Sequence, residues 1–262
     1  MKKLYFYSLL LLIFINHSVL AQNTGYVQYQ DIQSLGAPGA DLLSYKAALF
    51  FDEGQSLYIT KVDSLENGGK SIVKTYEKED GSIQGIRSSS IPTGIFNYTN
   101  RDDKVMVSNP RFKYGYTHKE PVPNIQWEIK KESKTMEGLE VIKAEAIFRG
   151  RKYIAWFTPD IPVSLGPWKL NGLPGLILEA YDETREIQFV FQKLIYPYDQ
   201  KPQFPQFKKD IPGFEDMIAQ QKDNFEKNIR MQRAMAQKFE GSSNEGADEA
   251  EKRKRYLEIF DY

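Results

Sequence analysis

The chain of 262 residues contains no cysteine and only two histidines, His17 and His118. Without cysteine there are no disulfides, no thiolate zinc sites and no thiol nucleophile, so the fold must be held by its core. His17 lies in an N-terminal leader, which leaves His118 as the one imidazole of the mature protein. Histidine-rich metal sites and H-E-x-x-H zinc peptidases are thereby unavailable, and no Ser-His-Asp triad is recognisable. Charge of neither sign prevails: 35 Lys and Arg face 35 Asp and Glu, which gives no basic face for a nucleic acid. Beyond the leader no apolar run approaches the ~20 residues of a membrane-spanning helix.

The leader has three parts: the basic start Met1-Lys2-Lys3, the apolar run Leu4 to Ile15, and the small-residue site Val19-Leu20-Ala21 before Gln22. This order predicts a secretory signal cleaved after Ala21 and a periplasmic or secreted product. Asn16 and His17 interrupt the apolar run, which is too short to span, and no cysteine follows for a lipid anchor.

The mature remainder reads as many short strands with turn residues between them. Candidates are Tyr26 to Tyr29, Ser56 to Thr60, Ser71 to Tyr76, Lys104 to Val107, Arg111 to His118, Ile125 to Lys130, Leu139 to Ile147, Lys152 to Phe157, Leu176 to Tyr181 and Glu186 to Ile195. Asn67-Gly68-Gly69, Asp80-Gly81, Glu137-Gly138 and Arg149-Gly150-Arg151 supply hairpin turns. Between Gly39 and Phe51 the pattern fits a short helix or the start of a strand equally well. From Tyr196 to Pro212 prolines forbid regular ladders, and beyond Gly213 apolar residues (Phe214, Met217, Ile218, Phe225, Ile229, Met231, Phe239) recur at helical gaps.

The expected architecture is mainly β: a single antiparallel sheet, curved or partly closed like a half-barrel, packed by a C-terminal helix. The expected organisation is a signal peptide at 1–21, a β-rich domain at 22–195, a proline-rich connector at 196–212 and a helical tail at 213–262.

The densest punctuation lies at residues 166–180, where three glycines and two prolines break an apolar run that ends as a strand at Leu176. Gly166, Pro167, Gly172 and Gly175 are expected as turn formers, with Pro174-Gly175 as a type II turn that puts Gly175 at positive φ. The stretch reads first as a hydrophobic turn sealing the end of a core, with a ligand or partner contact as the alternative; Leu176 is expected in the core, and Trp168, between two turns and beside Lys169, is the residue expected nearer the surface. The glycines are not spaced for a dinucleotide, and Lys169 is not followed by the Ser or Thr of a phosphate loop.

Gly172-Leu173-Pro174-Gly175-Leu176-Ile177, with Phe148 to Thr158, Ile161-Pro162 and Gly166-Pro167-Trp168, resembles the GLPGLI family, from about Ile125 to Ile195. The resemblance implies an exported protein of Gram-negative Bacteroidota and a probable fold, but no reaction, because no activity is established for that family. Many members carry a cysteine shortly before the Arg-Gly-Arg segment. Here Glu140-Val141-Ile142-Lys143 fills that place, so no role of a family thiol applies.

Few residues suggest chemistry. Ser71-Ile72-Val73-Lys74 has the letters of a Ser-x-x-Lys motif but lies in a strand pattern, which sends positions three apart to opposite faces. The acidic pairs Asp102-Asp103, Asp182-Glu183 and those near Asp80 lack the spacing of a calcium loop. Arg149 and Arg151, two apart on one hairpin, are placed either to stand exposed or bridged to local acids, the commoner use of such a pair, or to grip one carboxylate or phosphate together. Trp127, Trp156 and Trp168, with abundant Tyr and Phe, exceed what a minimal core needs, which leaves some of them available to line a cavity between sheet and helix, while core packing is the expected use of any single one. The candidate contact residues are therefore Arg149, Arg151, Trp156, Trp168, Leu173 and Pro174.

The reading is a non-catalytic binding or carrier module of the envelope for an apolar molecule or peptide, with no cofactor and no metal. The alternative is an accessory subunit of an outer-membrane transport or secretion complex. A hydrolase is opposed by the missing thiol and triad.

Overall fold

The computed structural model describes residues 24–33, 43–66, 72–77, 83–88, 90, 92–109, 117–200, 202–207 and 210–238. The leader, the turns at Asn67-Gly68-Gly69 and Asp80-Gly81, most of the Arg111–His118 strand and the tail beyond Lys238 lie outside them. The strands are β1 (Gly25–Gln33), β2 (Leu43–Phe51), β3 (Gln55–Thr60), β4 (Ile72–Glu77), β5 (Ile83–Ser88), β6 (Ile95–Asn100), β7 (Val105–Asn109), β8 (His118–Pro121), β9 (Glu128–Met136), β10 (Leu139–Phe148), β11 (Arg151–Thr158), β12 (Leu176–Asp182) and β13 (Ile187–Ile195), followed by helix α1 (Phe214–Lys238).

The protein is mostly β. Eleven strands form one antiparallel sheet in the order β8-β7-β6-β3-β2-β1-β13-β12-β11-β10-β9, while β4 and β5 form a separate hairpin. The sheet does not close. Its centre is the pairing of the first strand with the last, β1 with β13, which joins two runs of successive strands.

Local sequence explains most of these elements. Alternate residues of β1 are buried, as period-two patterning requires of a strand with one face inward. Asp52 closes the β2–β3 turn by accepting the N–H groups of Gly54 (2.9 Å) and Gln55 (2.7 Å) on its Oδ1. Glu137-Gly138 and Arg149-Gly150 both hold positive φ at two successive positions, the geometry of a two-residue hairpin turn whose twist suits the flanking strands. The segment at 43–51, open between helix and strand in the sequence, is strand β2.

The main core lies on one face of the sheet under the segment between β11 and β12. Ile161, Val163, Leu165, Trp168, Leu170 and Leu173 of that segment pack with Tyr29, Leu49, Phe51, Tyr153, Phe157 and Phe189 of the strands. Backbone bonds stitch it down: Leu176 N–H donates to the Ile161 carbonyl (3.0 Å) and Ile177 N–H to the Leu165 carbonyl (2.8 Å). The proline-rich connector places Phe204, Phe207 and Ile211 against Leu57, Tyr98 and Val107 in a smaller cluster.

The C-terminal helix packs at one edge of the sheet. Its contact with the sheet is at β8, through Phe214 and the buried Met217 at its start, so it is the segment between β11 and β12 that lies over the inner face. No helix among the described residues is long and apolar enough to cross a membrane.

Candidate functional site

The pairing register carries one row of side chains across the inner face: Leu49, Tyr58, Asn97, Ser108 and His118 stand opposite one another on β2, β3, β6, β7 and β8. The next row is Phe51, Ser56, Thr99, Met106 and Glu120. The interior therefore turns from apolar at the sheet centre to polar near β8. Ser108 Oγ donates to Asn97 Oδ1 at 2.8 Å, which satisfies two groups that burial would otherwise penalise.

At the end of these rows Glu120, 5% exposed, receives side chains from distant parts of the chain. Lys169, 1% exposed, comes down from the core-covering segment and donates to Glu120 Oε1 at 2.5 Å. Arg149, in the β10–β11 turn, donates to Glu120 Oε2. His118 Nε2 stands 3.8 Å from Glu120 Oε1. The Phe214 ring, first residue of α1, lies 4.1 Å from the Arg149 guanidinium and 5.4 Å from the Lys169 ammonium, with the His118 ring at 5.5 Å. This is cation–π geometry.

Burial alone would raise the Glu120 pKa. The His118 imidazole beside it, the charge and bond of Lys169 and the charge of Arg149 outweigh it and hold the carboxyl at about 2. A carboxylate held so low and filled by two cations is a weak proton acceptor near neutrality. Its chemistry is that of a tie between four segments: β8, the β10–β11 turn, the β11–β12 segment and, through Phe214, the helix.

Two further polar nodes are buried. Asp31 of β1 accepts from Gln33 Nε2 (2.8 Å) and Tyr58 OH (3.1 Å). Burial pushes its pKa up, against the opposing charge of Lys61 and its hydrogen bonds. Lys61 is lowered by burial and sits 4.4 Å over the Tyr45 ring. Arg151 Nη1 donates to Asp182 Oδ2 (2.7 Å) and Glu186 Oε2 (2.8 Å), closing the end of the β12–β13 hairpin on β11.

The two arginines thus diverge. Arg149 has φ of 50°, so the alternation that would put it on the face of Arg151 is broken, and each binds a different acid. Trp168 is a correction as well. It is 7% exposed and stacks near Phe189 at 6.5 Å, with Phe148 at 5.5 Å and Tyr153 at 6.0 Å. The tight turn, with Trp168 itself at φ 56°, aims the indole inward. Leu173 is buried, Pro174 exposed, and Trp156 half-buried under Lys134, whose Nζ lies 4.3 Å from its ring. Trp127 donates to the Asn171 carbonyl at 2.8 Å, so Trp127 and Trp168 both brace the segment.

Of the turn formers, Pro167 accepts the Leu170 N–H at 3.0 Å and Gly172 holds φ of +93°. Gly175 is not at positive φ, contrary to the type II expectation. It is glycine for lack of room, because a Cβ there would stand 2.2 Å from the Thr158 carbonyl oxygen. At Gly166 a Cβ would come within 2.8 Å of Ile177 and of the Leu170 carbonyl oxygen.

Sequence reasoning passed over Glu120 and Asp31. The available signal was Lys169 itself, since an ammonium within an apolar, buried segment demands an acid. Among the described residues no three His, Asp or Glu side chains group as ligands for a metal ion.

The profile of a family described as "Protein of unknown function (Porph_ging)" matches residues 116–179, the stretch from β8 to β12 that contains Glu120, Arg149 and Lys169. No curated protein matches the chain. Among solved structures it is similar to PNGF-II in two crystal forms. One has 15% identity and a TM-score of 0.43, covering 68% of this chain and 29% of that one. The other has 12% identity and a TM-score of 0.42, covering 67% and 28%. The chain thus spans less than a third of the length of either PNGF-II chain.

Proposed function

We propose that the protein is a non-catalytic docking module of the cell envelope, in which the sheet is a rigid platform and α1 an arm that engages a partner protein. The observation that favours this reading is the attachment of the helix. Phe214 and Met217 anchor its start at β8, whereas Lys222, Asp223, Glu226, Lys227, Arg230 and Met231 farther along are exposed. Met231 is 55% exposed, and an apolar residue on a solvated helix is a contact that a partner groove would bury. A carrier of apolar molecules would need room beneath the cover of the inner face, and Trp168, Leu170 and Leu173 occupy that position. The acids and bases best placed for chemistry are engaged in ties between segments, which argues against a hydrolase. An envelope location rests on the leader sequence.

Native mass spectrometry of protein purified from the periplasm, full-length and truncated after Pro212, tests the reading. It predicts a co-purifying protein that is lost on truncation, with no bound lipid. A stoichiometric lipid or peptide retained by both forms would overturn it in favour of a carrier.

A further inference from the structure

The two edges of the sheet are treated differently. β8 is four residues long, and its outer side is occupied: Lys119 N–H donates to the Pro212 carbonyl at 2.9 Å, and Lys119 bridges to Gly213. β9 is nine residues long and exposed along most of its length, with Ile129 50% exposed. Among the described residues it pairs with β10 alone. An open row of N–H and C=O groups is a template for another strand.

The β9–β10 turn says which groups face outward. Met136 and Leu139 flank the two-residue turn, so they exchange hydrogen bonds. Alternate residues follow as far as Ser133, so Ser133 and Thr135 point their N–H groups away from β10; beyond Ser133 the pairing shifts register, Ser133 facing Ile142 and Ile129 facing Ala144.

We infer that a second copy of this chain pairs with β9, antiparallel and across a two-fold axis that sets Ser133 opposite Ser133, making one continuous sheet from two. Among axes centred on residues 130–134, the charges select this register. It places Glu132 of each copy opposite Lys134 of the other and Lys131 opposite Thr135. Centring the axis on Lys130, Lys131, Glu132 or Lys134 sets that charge against itself, which is unfavourable for directly opposed side chains. Such a closed isologous pair satisfies the edge and cannot grow into a fibre. Glu132 and Lys134 already touch Lys143 and Glu179 of their own sheet, so the cross-axis pairs extend an existing ion network. The inference does not depend on the role of α1.

The absence of cysteine gives a clean test. In full-length mature protein, Ser133→Cys should yield a disulfide-linked dimer on mild oxidation, because hydrogen-bonded partners stand ~5.5 Å apart at Cα, within disulfide reach. Thr135→Cys, which faces Lys131, should not. Light scattering should show a dimer whose dissociation constant rises at least about tenfold in Glu132→Lys and in Lys134→Glu. An equimolar mixture of those two variants should restore the dimer, since opposite charges again face each other. Both positions are exposed, and matching circular dichroism confirms that the variants fold. A monomer at every concentration up to about 1 mM, stronger crosslinking at Thr135 than at Ser133, or no rescue in the mixture would overturn the inference.

Discussion

Replacing Glu120 by Gln keeps the shape of the side chain and removes its charge, leaving the ammonium of Lys169 and the guanidinium of Arg149 buried beside a neutral amide. Removing one partner of a buried ion pair costs about 3–5 kcal/mol, because the remaining charge keeps its desolvation penalty. Glu120 is nearly fully buried, so solvent screening does not diminish the effect. The pKa supplies a second route to the magnitude. The carboxyl falls from 4.5 to about 2 on folding, which at 1.36 kcal/mol per unit corresponds to roughly 3 kcal/mol. Because the folded value lies below the unfolded one, this stability is fully present above about pH 5 and is lost as pH falls through the window from about 4.5 to 2. Urea denaturation of wild type and Glu120→Gln from pH 7 to pH 3 measures both effects. The variant should be about 3–5 kcal/mol weaker at pH 7, and the gap should narrow below pH 4.5. A gap under about 1 kcal/mol at neutral pH, or one that does not change with acid, would refute the reasoning.

Three other outcomes are expected. Trp168→Ala and Leu176→Ala should each cost about 2–5 kcal/mol in chemical denaturation, because both empty a packed core; near-neutral stability of Trp168→Ala would mean that the indole is not packed as described. Gly175→Ala should destabilise by more than Gly172→Ala, whose cost is the ~1 kcal/mol of an alanine at positive φ, since the first forces a methyl onto the Thr158 carbonyl; equilibrium melts of the two variants give the order. The exported protein should begin at Gln22, and N-terminal sequencing that finds residues of the leader would contradict cleavage after Ala21.

Much of the sheet was legible because its strands alternate or punctuate clearly. β1 shows its period in Tyr26 to Tyr29, and the turns at Glu137-Gly138 and Arg149-Gly150 carry the glycine that a two-residue hairpin needs. β9 was read too short, since the sequence from Lys130 to Lys134 has almost no apolar residue, and an edge strand exposed on both faces leaves no period to find. β6 was missed because inward positions on it are Asn97 and Thr99, polar residues that pair with other polar residues inside. The ties were the least legible part. Glu120 and Lys169 are far apart in sequence, and only the fold brings them together. Trp168 looked like a surface residue because turns flank it, yet a tight turn can aim a large ring inward as readily as outward.

The central claim is that the segment from Ile161 to Ile177 is sealed core, tied down through Lys169, and not a contact surface. Hydrogen exchange of the Val163, Leu165, Leu176 and Ile177 amides, all bonded within the segment, tests it most directly. The account predicts protection equal to that of β11 and β12, lost only on global unfolding. Exchange of these amides as fast as an exposed loop, while the strands stay protected, would contradict it.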